Sequence, residues 1–166
     1  PDRVIDIQAL AGDSSDNEPG IKGISVETAA HLINDYGNFD ELFRAAKFPD
    51  RMKAMADTRS ESLKRKVFEE VGHEFEIGSP MQLGKVLAEE VGLKLPAGKK
   101  EGTYTTNSKV LLELAEKGQG VARLILEWRF YASFKNKYVD LIVEQEGQAR
   151  ISRDLVTLRR DAPVDE

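Results

Sequence analysis

Pro19-Gly20-Ile21-Lys22-Gly23-Ile24-Ser25, followed after Val26-Glu27 by Thr28-Ala29-Ala30-His31-Leu32-Ile33, decides how the rest of the chain is read. Two glycines three apart, the first preceded by a proline, predict a tight reversal of the backbone. Ile21 and Ile24 are spaced to anchor that turn in a core. From Val26 onward the apolar positions Ala29, Ala30, Leu32, Ile33 and Tyr36 share one broad helical face, and Gly37 follows as a C-cap. A turn that runs directly into a helix start presents backbone N–H groups to solvent, a geometry suited to a phosphate oxygen.

Outward from this element the chain reads as helices. Val4–Leu10 is a helix-like apolar stretch, joined to the turn by the polar run Gly12-Asp13-Ser14-Ser15-Asp16-Asn17. Asn38 or Asp40 caps a short helix containing Phe39, Leu42 and Phe43. A long polar helix is expected from Asp50 to about Phe75, with Leu63, Val67, Val71 and Phe75 as its apolar stripe. Ser79 before Pro80 is an N-cap with proline at the first helical position. That helix carries Leu83, Val86 and Leu87 and stops near Gly92. Ser108 is expected to cap a helix containing Leu111 and Leu114. The near-heptad series from Val121 through Trp128, Tyr138 and Ile142 predicts one long helix running on into Ala149 and Leu155. The alternation Val156-Thr157-Leu158 predicts a short extended tail.

Composition bounds the chemistry. The 166 residues are 40% hydrophobic and 32% charged, the balance of a soluble globular protein. No stretch approaches the roughly 20 apolar residues of a membrane span, so no membrane partner is expected, and the N-terminus shows no signal-peptide pattern. The chain has no initiator Met, as a fragment or processed chain would. There is no cysteine, which excludes disulfides, thiol catalysis and Cys-based zinc sites. The 24 Lys and Arg against 29 Asp and Glu give a net charge of −5, which argues against indiscriminate nucleic-acid binding.

The layout of residues 19–33 is that of a helix–hairpin–helix element. With Val4 to Asn17 before it, residues 1–47 closely resemble the DNA-binding helical region of the 5′-nuclease domain of bacterial DNA polymerase I. The resemblance implies a phosphate site on the hairpin, at Gly20, Ile21, Lys22, Gly23, Ile24, Ser25 and Thr28, and a monovalent cation held by its backbone carbonyls. It matches Asp13 and Asp16 to two aspartates that help hold a divalent metal. Two carboxylates three apart do not make a two-metal phosphodiesterase site, so they read as a remnant, with turn and cap roles and no Mg²⁺. Three residues depart from the pattern. Glu18 and Glu27 bring negative charge to the phosphate site, and Ser25 stands where the family prefers Gly, in a turn it is expected to strain.

A second resemblance covers residues 60–142. His73-Glu74-Phe75-Glu76-Ile77-Gly78-Ser79-Pro80, then Gly98-Lys99-Lys100, Tyr104-Thr105-Thr106, Leu126-Glu127-Trp128-Arg129 and Lys137-Tyr138-Val139-Asp140 follow one another as in the thumb subdomain of family A DNA polymerases. It implies duplex DNA contacts, without catalysis, from Lys99, Lys100, Thr105, Thr106, Asn107, Lys135, Asn136 and Lys137. Glu101 interrupts the otherwise basic loop. A third stretch, Glu146 to Val164, again resembles the nuclease domain, so nuclease-like sequence brackets thumb-like sequence.

The expected architecture is mainly α: a helix–hairpin–helix lobe from residues 1–48 and 144–166, and an inserted antiparallel long-helix, thumb-like lobe at 49–143. The simplest origin is an engineered chimera; a natural rearrangement is the alternative. The expected function is non-catalytic, sequence-independent binding of the backbone of duplex or junction DNA, weak, with no required cofactor. A structural scaffold without DNA binding is the second reading, and an active flap nuclease the third. The bacterial origin of the parts implies a cytoplasmic location, unless the chain is engineered. Nothing in the sequence fixes an oligomeric state.

Overall fold

The computed structural model describes residues 2–12 and 19–161, and among them the fold is mainly α. Helix α1 spans Asp2–Ala11, α2 Val26–Tyr36, α3 Phe39–Ala45 and α4 Pro49–Val71. Helix α5, Pro80–Lys85, continues into a π-helical turn at Val86–Glu90. Then come α6, Ser108–Glu116, and α7, Gly120–Ser133. A second π-helical turn, Phe134–Tyr138, leads into α8, Val139–Glu144, and α9, Glu146–Asp161. Among the described residues there is no strand; one isolated antiparallel bridge joins Ala97 and Tyr104. No described helix is long and apolar enough to cross a membrane.

The chain divides into two compact units, residues 1–54 with 134–166, and residues 55–133. In the first, α1 packs against both α2 and α9. Its core is built from Leu10, Ile21, Leu32, Ile33, Phe39, Leu42 and Phe43, joined from the other end of the sequence by Ile142, Ala149 and Val156. The α3 helix starts with two acceptors on its free amides. Asn38 Oδ1 accepts from Glu41 N at 2.8 Å, and the buried Asp6 of α1 accepts from Phe39 N at 3.0 Å. Arg153 of α9 closes the same corner, 2.8 Å from Asp40 and 4.8 Å over the Phe39 ring. Arg150 and Arg153 are thus packed over α3. Lys53, near the start of α4, pairs with Asp140 of α8 at 3.2 Å.

In the second unit the expected apolar stripe of α4 supplies Val67 to a core with Ile77, Leu83, Leu87, Leu111, Val121 and Ile125, and Trp128 packs at its edge. Ser79 caps α5 through the Gln82 amide, with Pro80 in the first turn. Arg129 is half-buried, and the burial of its guanidinium lowers its pKa from the ordinary arginine value.

Three local expectations are corrected. Residues 156–158 are helical, not extended: Ala149, Ser152 and Val156 are buried and lie three and four apart, so one face of α9 is the core-facing one. The helix expected to run unbroken from Val121 to Leu155 is interrupted at 134–138 and again at Gln145, the C-cap of α8. The α6 cap is Asn107, whose Oδ1 accepts from Val110 N at 2.9 Å; Ser108 lies inside the helix.

Candidate nucleic-acid interface

The hairpin is a close crossing of backbones. The Ile21 amide donates to the Leu10 carbonyl at 2.7 Å, and Ile24 N closes the turn onto Ile21 O at 3.1 Å. Gly20 and Gly23 both have positive φ, +57° and +98°. At Gly20 the requirement is also steric: a Cβ would lie 2.3 Å from Gly12 N and 2.5 Å from the Ala11 carbonyl carbon. Ile21 and Ile24 are buried, as their spacing predicted, so the turn is pinned from below while Lys22 and Gly23 are exposed.

Two more hairpin amides are satisfied from the far end of the sequence. Gly20 N donates to the hydroxyl of Ser152, buried on α9, at 3.3 Å, and Lys22 N donates to Gln145 Oε1 at 3.2 Å. Sequence reasoning missed both acceptors. Gln145 has no local signature, whereas Ser152 does: a hydroxyl set between Ala149 and Val156 in an apolar stripe. A surface depression of about 500 Å³ lies beside these contacts, lined by Pro19, Gly20, Lys22, Glu144, Gln145 and Gln148.

At the start of α2, Ser25 Oγ accepts from Thr28 N at 3.2 Å and contacts Thr28 Oγ1 at 3.1 Å. The strain expected of Ser25 is absent. Its φ is −79° and ψ 169°, extended backbone open to any residue and the ordinary conformation of an N-cap. The amides of Gly23, Ser25, Val26 and Glu27 have no acceptor among the described residues, and all four residues are exposed. They lie on the turn and the first positions of α2, where the helix dipole adds its positive end. Glu27 brings a carboxylate to the same first turn. Asp13, Asp16 and Glu18 lie outside the described residues.

The other predicted contact residues fall in two places. In the second unit, a loop closed by Gly98 N to Thr103 O, at 2.8 Å, puts Lys99, Lys100 and Glu101 at an exposed apex. Thr105 is half-buried and donates its hydroxyl to Ala97 O at 3.2 Å. Thr106 is buried at 6% exposure; its carbonyl accepts from Arg129 Nη1 at 2.6 Å and its hydroxyl oxygen from Nη2 at 3.3 Å. Asn107 is exposed, but its side chain caps α6. In the first unit, Lys135, Asn136 and Lys137 form the π-helical turn; Lys135 is half-buried, and Lys137 Nζ sits 5.4 Å from the Tyr138 ring centroid. The chain therefore assigns Lys135 and Lys137 to the same unit as the hairpin, and Lys99 and Lys100 to the other.

Comparison with known proteins gives these elements a family. Residues 46–156 match the family model for DNA polymerase family A, and residues 1–75 that for the 5′-3′ exonuclease, C-terminal SAM fold. The two matches overlap over residues 46–75, which include the whole of α4. DNA polymerase I of Bacillus subtilis is 35% identical over 157 residues, covering 81% of this chain and 17% of that protein. DNA polymerase I of Pseudomonas aeruginosa is 34% identical over 84 residues, covering 51% and 9%. The 5′-3′ exonuclease of Bacillus subtilis is 57% identical over 42 residues, covering 25% and 14%. The chain thus spans less than a fifth of the length of these relatives. It joins a segment of the 5′-3′ exonuclease fold to polymerase sequence that makes up most of its length, and it belongs to DNA polymerase family A.

Proposed function

We propose that the chain binds the phosphate backbone of DNA, duplex or junction, without reading bases and without catalysis. The observation that carries this reading is the exposed set of amides at Gly23, Ser25, Val26 and Glu27, which have no acceptor among the described residues. Backbone amides at a helix start favour an anion and carry no base information. Lys22 beside them, Lys137 in the same unit, and Lys99 and Lys100 at the other unit's apex add cationic groups. A monovalent cation on the hairpin fits the Ile21 carbonyl, which accepts one hydrogen bond and keeps a lone pair; no other cofactor is needed for this role. The non-catalytic part rests on the resemblance, which matches only Asp13 and Asp16 to metal ligands. We further propose that the chain is an engineered assembly of DNA polymerase I parts.

The test is a titration of a labelled duplex across a salt series. Each neutralised phosphate contributes about −0.9 to the log–log slope, and affinity near physiological salt is expected at roughly micromolar or weaker, the range of non-specific binding. Absence of binding at the lowest salt would sink the reading, as would tight sequence-selective binding at physiological salt. Flap cleavage with Mg²⁺ that disappears in Asp13→Ala would overturn the non-catalytic part. The second reading, a scaffold without DNA binding, is favoured by the exposed Glu27 among the open amides and by the net charge of −5.

A further inference from the structure

The Lys22 and Gly23 amides are consecutive at the exposed tip of the hairpin, yet they are in different states. Lys22 N donates to Gln145 Oε1 at 3.2 Å, while Gly23 N has no acceptor among the described residues. Gln145 holds a particular place in the fold. It ends α8 with φ −111° and ψ 23°, and its carbonyl accepts the Ala149 amide as α9 begins. The break between the two helices is thus what brings this side chain to the hairpin. The contact is exposed, with the depression beside it and the Glu144 carboxylate on its rim.

We infer that Gln145 is a positioning residue that holds the Lys22 amide away from DNA, acting as a built-in substitute for a phosphate oxygen. The inference rests on the backbone-binding reading above and names what limits it. A neutral amide oxygen is a weaker acceptor than a phosphate, since hydrogen bonds to ionised groups are about twice as strong. A phosphate can therefore displace it, but the lost contact subtracts from the affinity. With Gln145 out of the way, Lys22 N and Gly23 N together face one phosphate, next to the open amides of α2. Ser152 differs from Gln145 in this respect, because its bond to Gly20 is buried and stays in place when DNA binds.

The experiment compares the full chain with Gln145→Ala, Gln145→Met and Gln145→Glu. Each is titrated with a 20-base-pair duplex at low salt, with backbone amide NMR spectra recorded along the titration. Met keeps the length of the side chain without its oxygen, which guards against a merely structural loss in the Ala variant. The Ala and Met variants should bind DNA about three- to tenfold more tightly than the parent, the fold-change of one ordinary net hydrogen bond. Their Lys22 amide should move on adding DNA more than it does in the parent. The Glu variant keeps the acceptor, adds a charge and should bind more weakly. If the parent binds DNA but the Ala and Met variants bind no better and their Lys22 amide stays still, the inference is overturned and the binding reading stands. If neither the parent nor any variant binds, both fall together. If only the Ala and Met variants bind, the inference stands and the binding reading falls for the parent chain.

Discussion

The Ser152 hydroxyl accepts the Gly20 amide although 132 positions separate the two residues, and Ser152 is fully buried. Gly20 has no room for a Cβ and no alternative acceptor among the described residues, so the hydroxyl is the sole partner of a buried donor there. Ser152→Ala should destabilise the hairpin unit by about 1–3 kcal/mol, the cost of leaving a buried donor unmade. Hydrogen exchange of the Leu32 and Ile33 amides reads that unit. Protection unchanged from the parent would contradict this role for Ser152.

Gly20→Ala attacks the same crossing from the other side. The added methyl would sit against the backbone of Ala11 and Gly12, which no side-chain rotamer can relieve, at a φ of +57° that a non-glycine residue seldom adopts. A loss of about 2–3 kcal/mol is expected, combining overpacking with backbone strain. Gly37→Ala is the control: its φ is also positive, but nothing lies within 4 Å of the added Cβ, so it should cost less.

For DNA affinity the informative single change is Glu27→Lys, with Ser25 kept. Glu27 is exposed in the first turn of α2, beside the open amides. At about 6–8 Å a carboxylate and a phosphate repel by roughly 0.5–3 kcal/mol for dielectrics between water and protein surface. Replacing the charge should tighten binding by about tenfold, and the gain should shrink as salt rises. Stability should fall by only a few tenths of a kcal/mol, from the helix dipole. Ser25→Gly should add nothing to affinity by relief of strain, since Ser25 already has φ −79° and caps the helix. Equal low-salt affinity of Glu27→Lys and parent would count against the hairpin as the site.

In the second unit stability should vary with pH through His73. Its Nδ1 bonds the Glu74 carbonyl at 2.9 Å and its Nε2 contacts the Glu90 carboxylate, so both ring nitrogens face acceptors. The Glu74 carbonyl first, then Glu90, raises the pKa above the ordinary 6.5. A raised value means the charged form is favoured by folding. The contribution is therefore complete below about pH 6.5 and is lost as pH rises through the folded-state value. The urea midpoint read by Trp128, the single tryptophan, should be lower at pH 8 than at pH 6. In His73→Gln that difference should shrink.

Where the sequence could be read, the signal was a residue type with one local job. Ser79 with Pro80, Gly37, and the buried pair Ile21 and Ile24 are determined by neighbours within four positions, and the structure agrees. Where the reading failed, a second pattern competed. Val156-Thr157-Leu158 alternates like a strand, while the stripe that governs it passes through Ser152, a polar residue that hid the helical period. Asn107 and Ser108 are both cap formers, and only the backbone selects between them. For the candidate site, the hairpin glycines were legible, but Gln145 and Ser152 were not linked to it, because contacts over 123 and 132 positions leave no local trace. Thr106 likewise carries the same residue type whether it faces DNA or, as here, Arg129.

The crossing of Leu10, Ile21 and Ser152 also sets an order of events in synthesis. The hairpin is translated before α8 and α9, and the acceptors for Gly20 and Lys22 are added 132 and 123 residues later. Until then the two amides remain open on a nascent chain, and closing so long a loop is slow relative to local helix formation. The buried core of the second unit is drawn from residues between Val67 and Ile125, all of which are synthesised before Gln145 and Ser152. On the ribosome, the hairpin is therefore completed only after more than 120 further residues have been added.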